Sequence, residues 1–315
     1  MTIKSKNGEY TIEKLEYKNI VDVEKLHTAV YSKITGQGFF AKKYDTGFTP
    51  VKYIGFIAYN VDKLPVAFYG VIPCFIKLED KNILSAQSAD TMTHPNHRHK
   101  GLFIELALLT YGLCRDRGIH LIFGFPNQNS LHAFIKNLGW EKTGELDYFV
   151  IQTGISTWRR IINKIPILKN INKSFKQTLL KKYALPKQGI DNSAITDGYA
   201  GIYRDLHYLK YKTYTDTHVL KIGPSIVWVK LDNEMLIGDI TLDASDFEEL
   251  IYHLKKLACK LGIKKISFHT SKGTTLHSLF AGHFAASPSF AVIFLNFEDI
   301  PIEKIKFTSA DIDTF

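Results

Sequence analysis

The sequence predicts an α/β protein of two tandem mixed-sheet domains, and three observations carry that prediction. The first half alternates strand-like and helix-like segments in the order β-α-β-β-β-α-β-α-β-β. A basic, helix-prone stretch near residues 155–190 then breaks the alternation. After it, part of the first half recurs: "CRDRGIHLIFGFPNQNSLHAFIKNLGW" (114–140) is echoed by "CKLGIKKISFHTSKGTTLHSLFAGHF" (259–284). Gly118 and Gly262 are offset by 144 and His132 and His277 by 145, so one insertion or deletion separates the copies. So long a spacing marks a duplicated domain, not a solenoid repeat.

Length and composition fit this reading. A chain of 315 residues suggests two domains, and 45% hydrophobic with 13% aromatic residues supplies ample core. The longest apolar run, Pro65 to Ile76, is interrupted by two prolines and a glycine and is too short for a spanning helix, which needs roughly 20 apolar residues. The polar start "MTIKSKNGEY" lacks a secretory core, so the expected location is the cytoplasm or its membrane surface. Cys74, Cys114 and Cys259 form no C-x-x-C and read as small core residues.

The elements follow in order. "EYTIEKLE" (9–16) reads as a strand and "NIVDVEKLHTAVYSKI" as an amphipathic helix with Ile20, Val23, Leu26, His27 and Val30 near one face. Three strands follow at 53–60, 64–78 and 82–93, with turn residues at 60–63 and 79–82. Leu102, Leu106, Leu109 and Leu113 stripe a helix that Gly118 ends. "HLIFGF" is a short buried strand and "NQNSLHAFIKNLG" a second helix. "WEKTGELDYFVIQT" is expected to close the domain as a hairpin turning at Thr143-Gly144. The second half offers a hairpin at 225–243 turning at Asp232-Asn233, a helix at 247–262 and a last strand in "SPSFAVIFLNF". The expected domains are 1–153, a basic helical linker at 154–191, and 192–315.

The net charge of +9 is concentrated in that linker. Nine Lys or Arg and no Asp or Glu fall between Tyr148 and Ile190, which leaves the rest of the chain neutral and makes a nucleic-acid-binding domain a poor fit. The linker reads either as a solvated spacer or as a basic surface for a membrane or a phosphorylated acceptor.

"THPNHRHKGLF" (93–103) joins a strand to a helix through a basic turn and a glycine. The first N–H groups of a helix lack partners, and the helix dipole adds about half a positive charge there, so this order suits an anion. Arg98 and Lys100 strengthen it. His94, His97 and His99 do not read as a metal set, because no nearby carboxylate or thiolate completes the ligands.

These elements resemble the GCN5-related N-acetyltransferase (GNAT) family. Arg98-x-x-Gly101-x-Phe103, after Pro95, is similar to the family's pyrophosphate loop, and "FPNQNSLHAFIKNLGW" to its next motif. Both lie in about residues 8–153; the second half, about 192–300, resembles the family in topology only. The resemblance implies two tandem acyl-CoA N-acyltransferase (GNAT-like) domains, the second degenerate, and an N-acetyltransferase that moves an acetyl group from acetyl-CoA to the primary amine of a small molecule such as an amino sugar, without a metal. A Fem-like aminoacyl transferase and a non-catalytic acyl-CoA-binding module are the alternatives.

The resemblance implies further that Thr91, Met92 and Thr93 present backbone groups to pantetheine, that Arg98, His99, Lys100, Gly101, Leu102 and Phe103 hold the pyrophosphate, and that Asn129 bonds the pantetheine arm or caps its helix. Asp90, on the same strand, is the candidate general base. Phe103 stands where the family has a small residue. Ile135 stands where many members carry a tyrosine acid, which leaves Tyr111, His132 and Tyr148 as candidates for that role. The second half has "ITLDASDFEEL" in place of the loop, and its carboxylates would repel a pyrophosphate, so it is expected to bind no coenzyme A.

Overall fold

The computed structural model describes residues 2–6, 8–154 and 176–315. Most of the basic linker, including Arg159, Arg160, Lys164, Lys169 and Lys173, lies outside the described residues. The chain divides into two compact units. Unit 1 comprises Met1–Gly144 and Ala291–Lys304, and unit 2 comprises Glu145–Phe290 and Ile305–Phe315.

Unit 1 begins with β1 (Thr2–Lys4), β2 (Thr11–Lys14), α1 (Ile20–Tyr31) and a short α2 (Phe39–Tyr44) that the sequence did not announce. It continues with β3 (Ile54–Tyr59), β4 (Pro65–Leu78), β5 (Lys81–Thr93), α3 (Leu102–Asp116), β6 (Leu121–Gly124) and α4 (Gln128–Leu138). The strands pair in chain order, β1 to β6, and every contact is antiparallel except β5–β6. The Asn60 side chain closes the β3–β4 turn by accepting from the amides of Asp62 and Leu64 at 3.1 and 2.8 Å. Helix α3 buries Leu102, Leu106, Ala107, Thr110, Tyr111 and Cys114, with Leu109 and Leu113 at the margin of the core.

The sequence-based boundary at 153 is corrected by one strand on each side. Glu141–Gln152 is a single strand, β7, rather than a hairpin. A tight hairpin turn needs a residue at positive φ, and Gly144 is not among the positive-φ glycines. Leu146–Gln152 pairs antiparallel with a strand of unit 2. Conversely, the last strand, β13 (Ala286–Asn296), sends Ile293–Asn296 to pair with β6 in unit 1.

Unit 2 contains α5 (Ser193–Thr196), β8 (Gly201–Ile202), α6 (Leu206–Tyr211), β9 (Thr217–Ile222), β10 (Ser225–Leu231), β11 (Met235–Thr241), α7 (Phe247–Leu261), β12 (Lys265–Ser271) and α8 (Thr275–His283). Its sheet runs β7-β12-β11-β10-β9, parallel only between β11 and β12. The β11–α7–β12–α8 run repeats β5–α3–β6–α4 of unit 1, as the internal echo predicts. The hairpin at 225–243 and the helix ending at Gly262 stand where the sequence places them.

Candidate functional site

Strands β5 and β6 are parallel neighbours only from Ser85↔Leu121 to Gln87↔Phe123. Beyond that point a cleft of about 770 Å³ opens in unit 1. One wall is Thr91, Met92 and Thr93 at the end of β5. The loop His97–Gly101 and the first turn of α3 close one end, the end of α1 contributes Val30 and Tyr31, and α4 contributes Ser130, Ala133 and Asn137.

Strand β5 carries a β-bulge where it reaches the cleft. Phe68 pairs with Met92 and Gly70 with Ala89, so Tyr69 alone faces both Asp90 and Thr91. Asp90 has φ +50°, in the left-handed region that few non-glycine residues occupy. The extra residue shifts the phase of the strand: Ala89 and Met92 are buried, and Thr91 and Thr93 are partly open.

The anion-binding end is built from backbone. Arg98 is extended, His99 has φ +62° and Gly101 has φ +78°. Gly101 is the N-cap of α3 and no side chain caps this terminus, so the first amides of the helix face the cleft without a side-chain acceptor. Arg98 Nε lies 3.4 Å from the Thr93 carbonyl, which holds the guanidinium over the strand end. The Lys100 ammonium is 3.2 Å from Glu9 in an exposed pair, worth little in water. His97 meets the Tyr10 hydroxyl at 3.0 Å through Nδ1, and partial burial, with His94 and Lys100 nearby, lowers its pKa. Phe103 turns its ring toward the core, 5.4 Å from Phe134 and 6.0 Å from Tyr69. Its bulk is therefore taken up by packing.

All nine of the residues from Thr91–Thr93 and Arg98–Phe103 that the sequence singled out line the cleft. Asn129 lies on α4, but its side chain is outside the described residues. The sequence missed Val30, Tyr31, His97, Ile104, Asn127, Ser130, Ala133 and Asn137. The small or polar face Ser130, Ala133, Asn137 has helical spacing and was legible in principle. Ile135 is off that face, so its identity does not decide the chemistry of the cleft.

The catalytic candidates fare differently. Asp90 is not among the cleft-lining residues; its Oδ2 is 2.6 Å from the buried Lys43 ammonium and accepts from the Tyr44 hydroxyl at 3.0 Å. Tyr111 is buried, with its hydroxyl 3.1 Å from that of Tyr69 and 2.8 Å from Trp140 Nε1, and burial pushes its pKa up. His132 is exposed on α4 and does not line the cleft. Tyr148 stands in unit 2, where Lys265 donates to it at 3.0 Å and its ring stacks on His269 at 4.5 Å. The titratable phenol that does line the cleft is Tyr31, whose pKa is raised by partial burial and then by the Asp90 charge.

The corresponding region of unit 2 is filled by its own chain. Pairing of β11 with β12 stops at Ile237↔Phe268. Beyond it, Thr308 bridges Thr270, the Ser271 amide donates to the Phe307 carbonyl at 2.9 Å, and the His269 amide donates to Ser309 Oγ at 2.8 Å. Arg204, fully buried, joins Asp239 of β11 at 2.6 Å to Asp311 of this C-terminal segment at 2.7 Å. Residues 307–311 are buried without exception, and the Phe315 ring packs on Trp228 at 5.2 Å.

Among the described residues, no group of three or more His, Cys, Asp or Glu is placed to hold a metal ion, and no helix is long and apolar enough to cross a membrane.

Comparison with curated proteins gives no match. A GCN5-related N-acetyltransferase from Kribbella flavida shares the fold at 11% identity and a TM-score of 0.57, over 92% of this chain and 72% of that one. An N-acetyltransferase of the same type from Anabaena variabilis does so at 14% and 0.56, over 92% and 73%. The N-myristoyltransferase of Saccharomyces cerevisiae, solved with bound myristoyl-CoA, matches at 13% and 0.56, over 96% and 86%. The acetyltransferase (GNAT) domain family matches residues 11–143, and this segment is a domain of the GCN5-related N-acetyltransferase superfamily.

Proposed function

We propose that the protein is an acyl-CoA-dependent N-acyltransferase that carries an acetyl group to a primary amine of a small molecule. One observation carries the reading: the uncapped N-terminus of α3, with Arg98 beside it, opens onto a cleft whose other wall is a β5 edge that β6 has left. A pyrophosphate suits the first feature. An extended pantetheine arm suits the second, because it can bond to a strand edge as an added strand does.

In this reading the amine attacks the thioester carbonyl, the C–S bond breaks, and the thiolate leaves. Positioning supplies most of the rate, up to roughly 7–11 kcal/mol for aligned reactants. No carboxylate lines the cleft among the described residues, and the imidazoles that do, His97 and His99, belong to the loop given to the pyrophosphate, so in this reading water is the proton acceptor for the ammonium. Tyr31 is the candidate donor to the thiolate. In this reading Thr91, which lines the cleft, offers its backbone to the developing oxyanion, an interaction worth about 2.7–4 kcal/mol.

The test is calorimetric titration with acetyl-CoA and free coenzyme A, followed by thiol release with a panel of amines. Binding in the micromolar range with amine-dependent thiol release is expected. Binding without release on any amine points to a non-catalytic acyl-CoA module, and no binding at all overturns the reading in favour of a Fem-like transferase. Running myristoyl-CoA beside acetyl-CoA sets the acyl length, since the Saccharomyces neighbour was solved with the longer chain.

A further inference from the structure

Lys43 is 2% exposed, and a lysine so buried is costly unless paired. Its partner is Asp90, 2.6 Å away, and the adjacent Tyr44 donates to the same carboxylate oxygen at 3.0 Å. Both donors come from α2, a six-residue helix. The sheet makes room for them at Gly70: a Cβ there would come within 2.8 Å of the Tyr44 ring and 2.6 Å of Phe68. Lys43 and Tyr44 therefore converge on one carboxylate, in space that Gly70 leaves open.

That carboxylate belongs to the bulge residue at φ +50°. Its neighbour Thr91 is the first β5 residue to line the cleft. A non-glycine residue stays in the left-handed region only when its surroundings hold it there. Here the contacts of Lys43 and Tyr44 with its carboxylate tie the side chain to α2.

We propose that Lys43 and Tyr44 are positioning residues for acyl transfer, which hold Asp90 in its left-handed conformation and so aim Thr91 at the reacting acyl group. This inference rests on the acyl-CoA reading above. It assigns Asp90 a geometric role in place of the proton-accepting one that the sequence suggested. A buried ion pair is weak grounds for stability alone, since apolar residues of similar volume often serve as well. What an apolar pair could not do is fix the backbone of Asp90 through its carboxylate.

Glycine separates the two roles, because it adopts positive φ without a clamp. Two double variants of the full-length protein remove the same charges: Asp90→Gly with Lys43→Met, and Asp90→Ala with Lys43→Met. Thiol release with the best amine and the affinity for free coenzyme A are measured for both. The alanine pair is expected to lose turnover by roughly 10²-fold, the effect of misplacing a reacting group by about 1 Å. The glycine pair is expected to recover most of it, and both should bind free coenzyme A nearly as the parent does, because the pyrophosphate loop is elsewhere.

Equal loss in the two pairs would show that the carboxylate itself is needed and would overturn the inference, as would no loss in either. Failure of the parent protein to bind coenzyme A would instead overturn the acyl-CoA reading and the inference with it. If a double variant does not fold, Tyr44→Phe serves: it removes one donor, and a fall in kcat with KM for acetyl-CoA held is expected. An unchanged kcat would count against the clamp.

Discussion

Trp140 donates its indole N–H to the Tyr111 hydroxyl at 2.8 Å, deep in the core of unit 1. The same hydroxyl meets Tyr69, which reaches Ser88 at 2.9 Å. Tyr111 is thus a structural link between α3, the sheet and Trp140 in the short connection after α4. Tyr111→Phe leaves the buried indole unpartnered and should cost about 1–3 kcal/mol in urea unfolding, with coenzyme affinity unchanged. A variant that lost turnover while keeping its stability would restore Tyr111 as a catalytic candidate.

Arg98 is the cation that flanks the uncapped helix terminus. Reversing it to Glu should weaken coenzyme A binding by at least about tenfold, the scale of one lost charge-assisted hydrogen bond. The variant should also show a shallower dependence of affinity on salt. Titration calorimetry at two salt concentrations checks both, and intact affinity would remove the loop from the site.

Water as proton acceptor has a kinetic signature. Thiol release at low amine concentration should rise with pH toward the pKa of the amine, without a plateau set by an enzyme carboxylate. A limb that titrates near pH 4–6 and survives a change of amine would point to a protein base.

His269 offers a pH test in unit 2. Burial, more than any charge, pulls its pKa from 6.5 down to about 4. The unfolded chain therefore takes up this proton more readily than the folded one. The resulting stabilisation is complete above pH 6.5 and is lost as pH falls toward 4, about 3 kcal/mol in all. His269→Asn should flatten the unfolding free energy over that window, measured by denaturant titration at several pH values. A slope unchanged by the substitution would place the titration elsewhere.

The segment that fills unit 2 predicts a stoichiometry. One coenzyme A should bind per chain, and two would contradict the filled cleft. Asp311→Ala strands the buried Arg204 beside a single carboxylate and should cost roughly 3–5 kcal/mol, read as a fall in the urea midpoint.

Much of this was legible in the sequence because it is local. The stripe on α3, the turn at Asn60 and the glycine at 101 each depend on residues a few positions apart, and so did the cleft-lining loop. The repeated order of elements was legible too, through one recurring string of residues. What was hidden depends on pairing over long separations. Lys43 and Asp90 meet across 47 positions, and nothing near Lys43 marks it as buried. Gly144 looked like a turn because glycine allows one, but the neighbouring strand decided otherwise. Asp90 looked like a base because its carboxylate sits on the right strand. Strand alternation alone could not foresee the bulge that redirects it.

The excursion of β13 has a consequence for biosynthesis. Ile293–Asn296 completes the edge of a sheet whose other strands end at residue 124. A ribosome therefore releases the opening 144 residues long before their final strand exists. The nascent first half must wait with an unpaired β6 edge while some 150 further residues are made, at roughly 5–20 residues per second. Exposed edges invite pairing with other chains. Cutting the gene between the halves would make that wait permanent, so the first fragment made alone should aggregate, and co-expression of the second, which carries the strand, should relieve it.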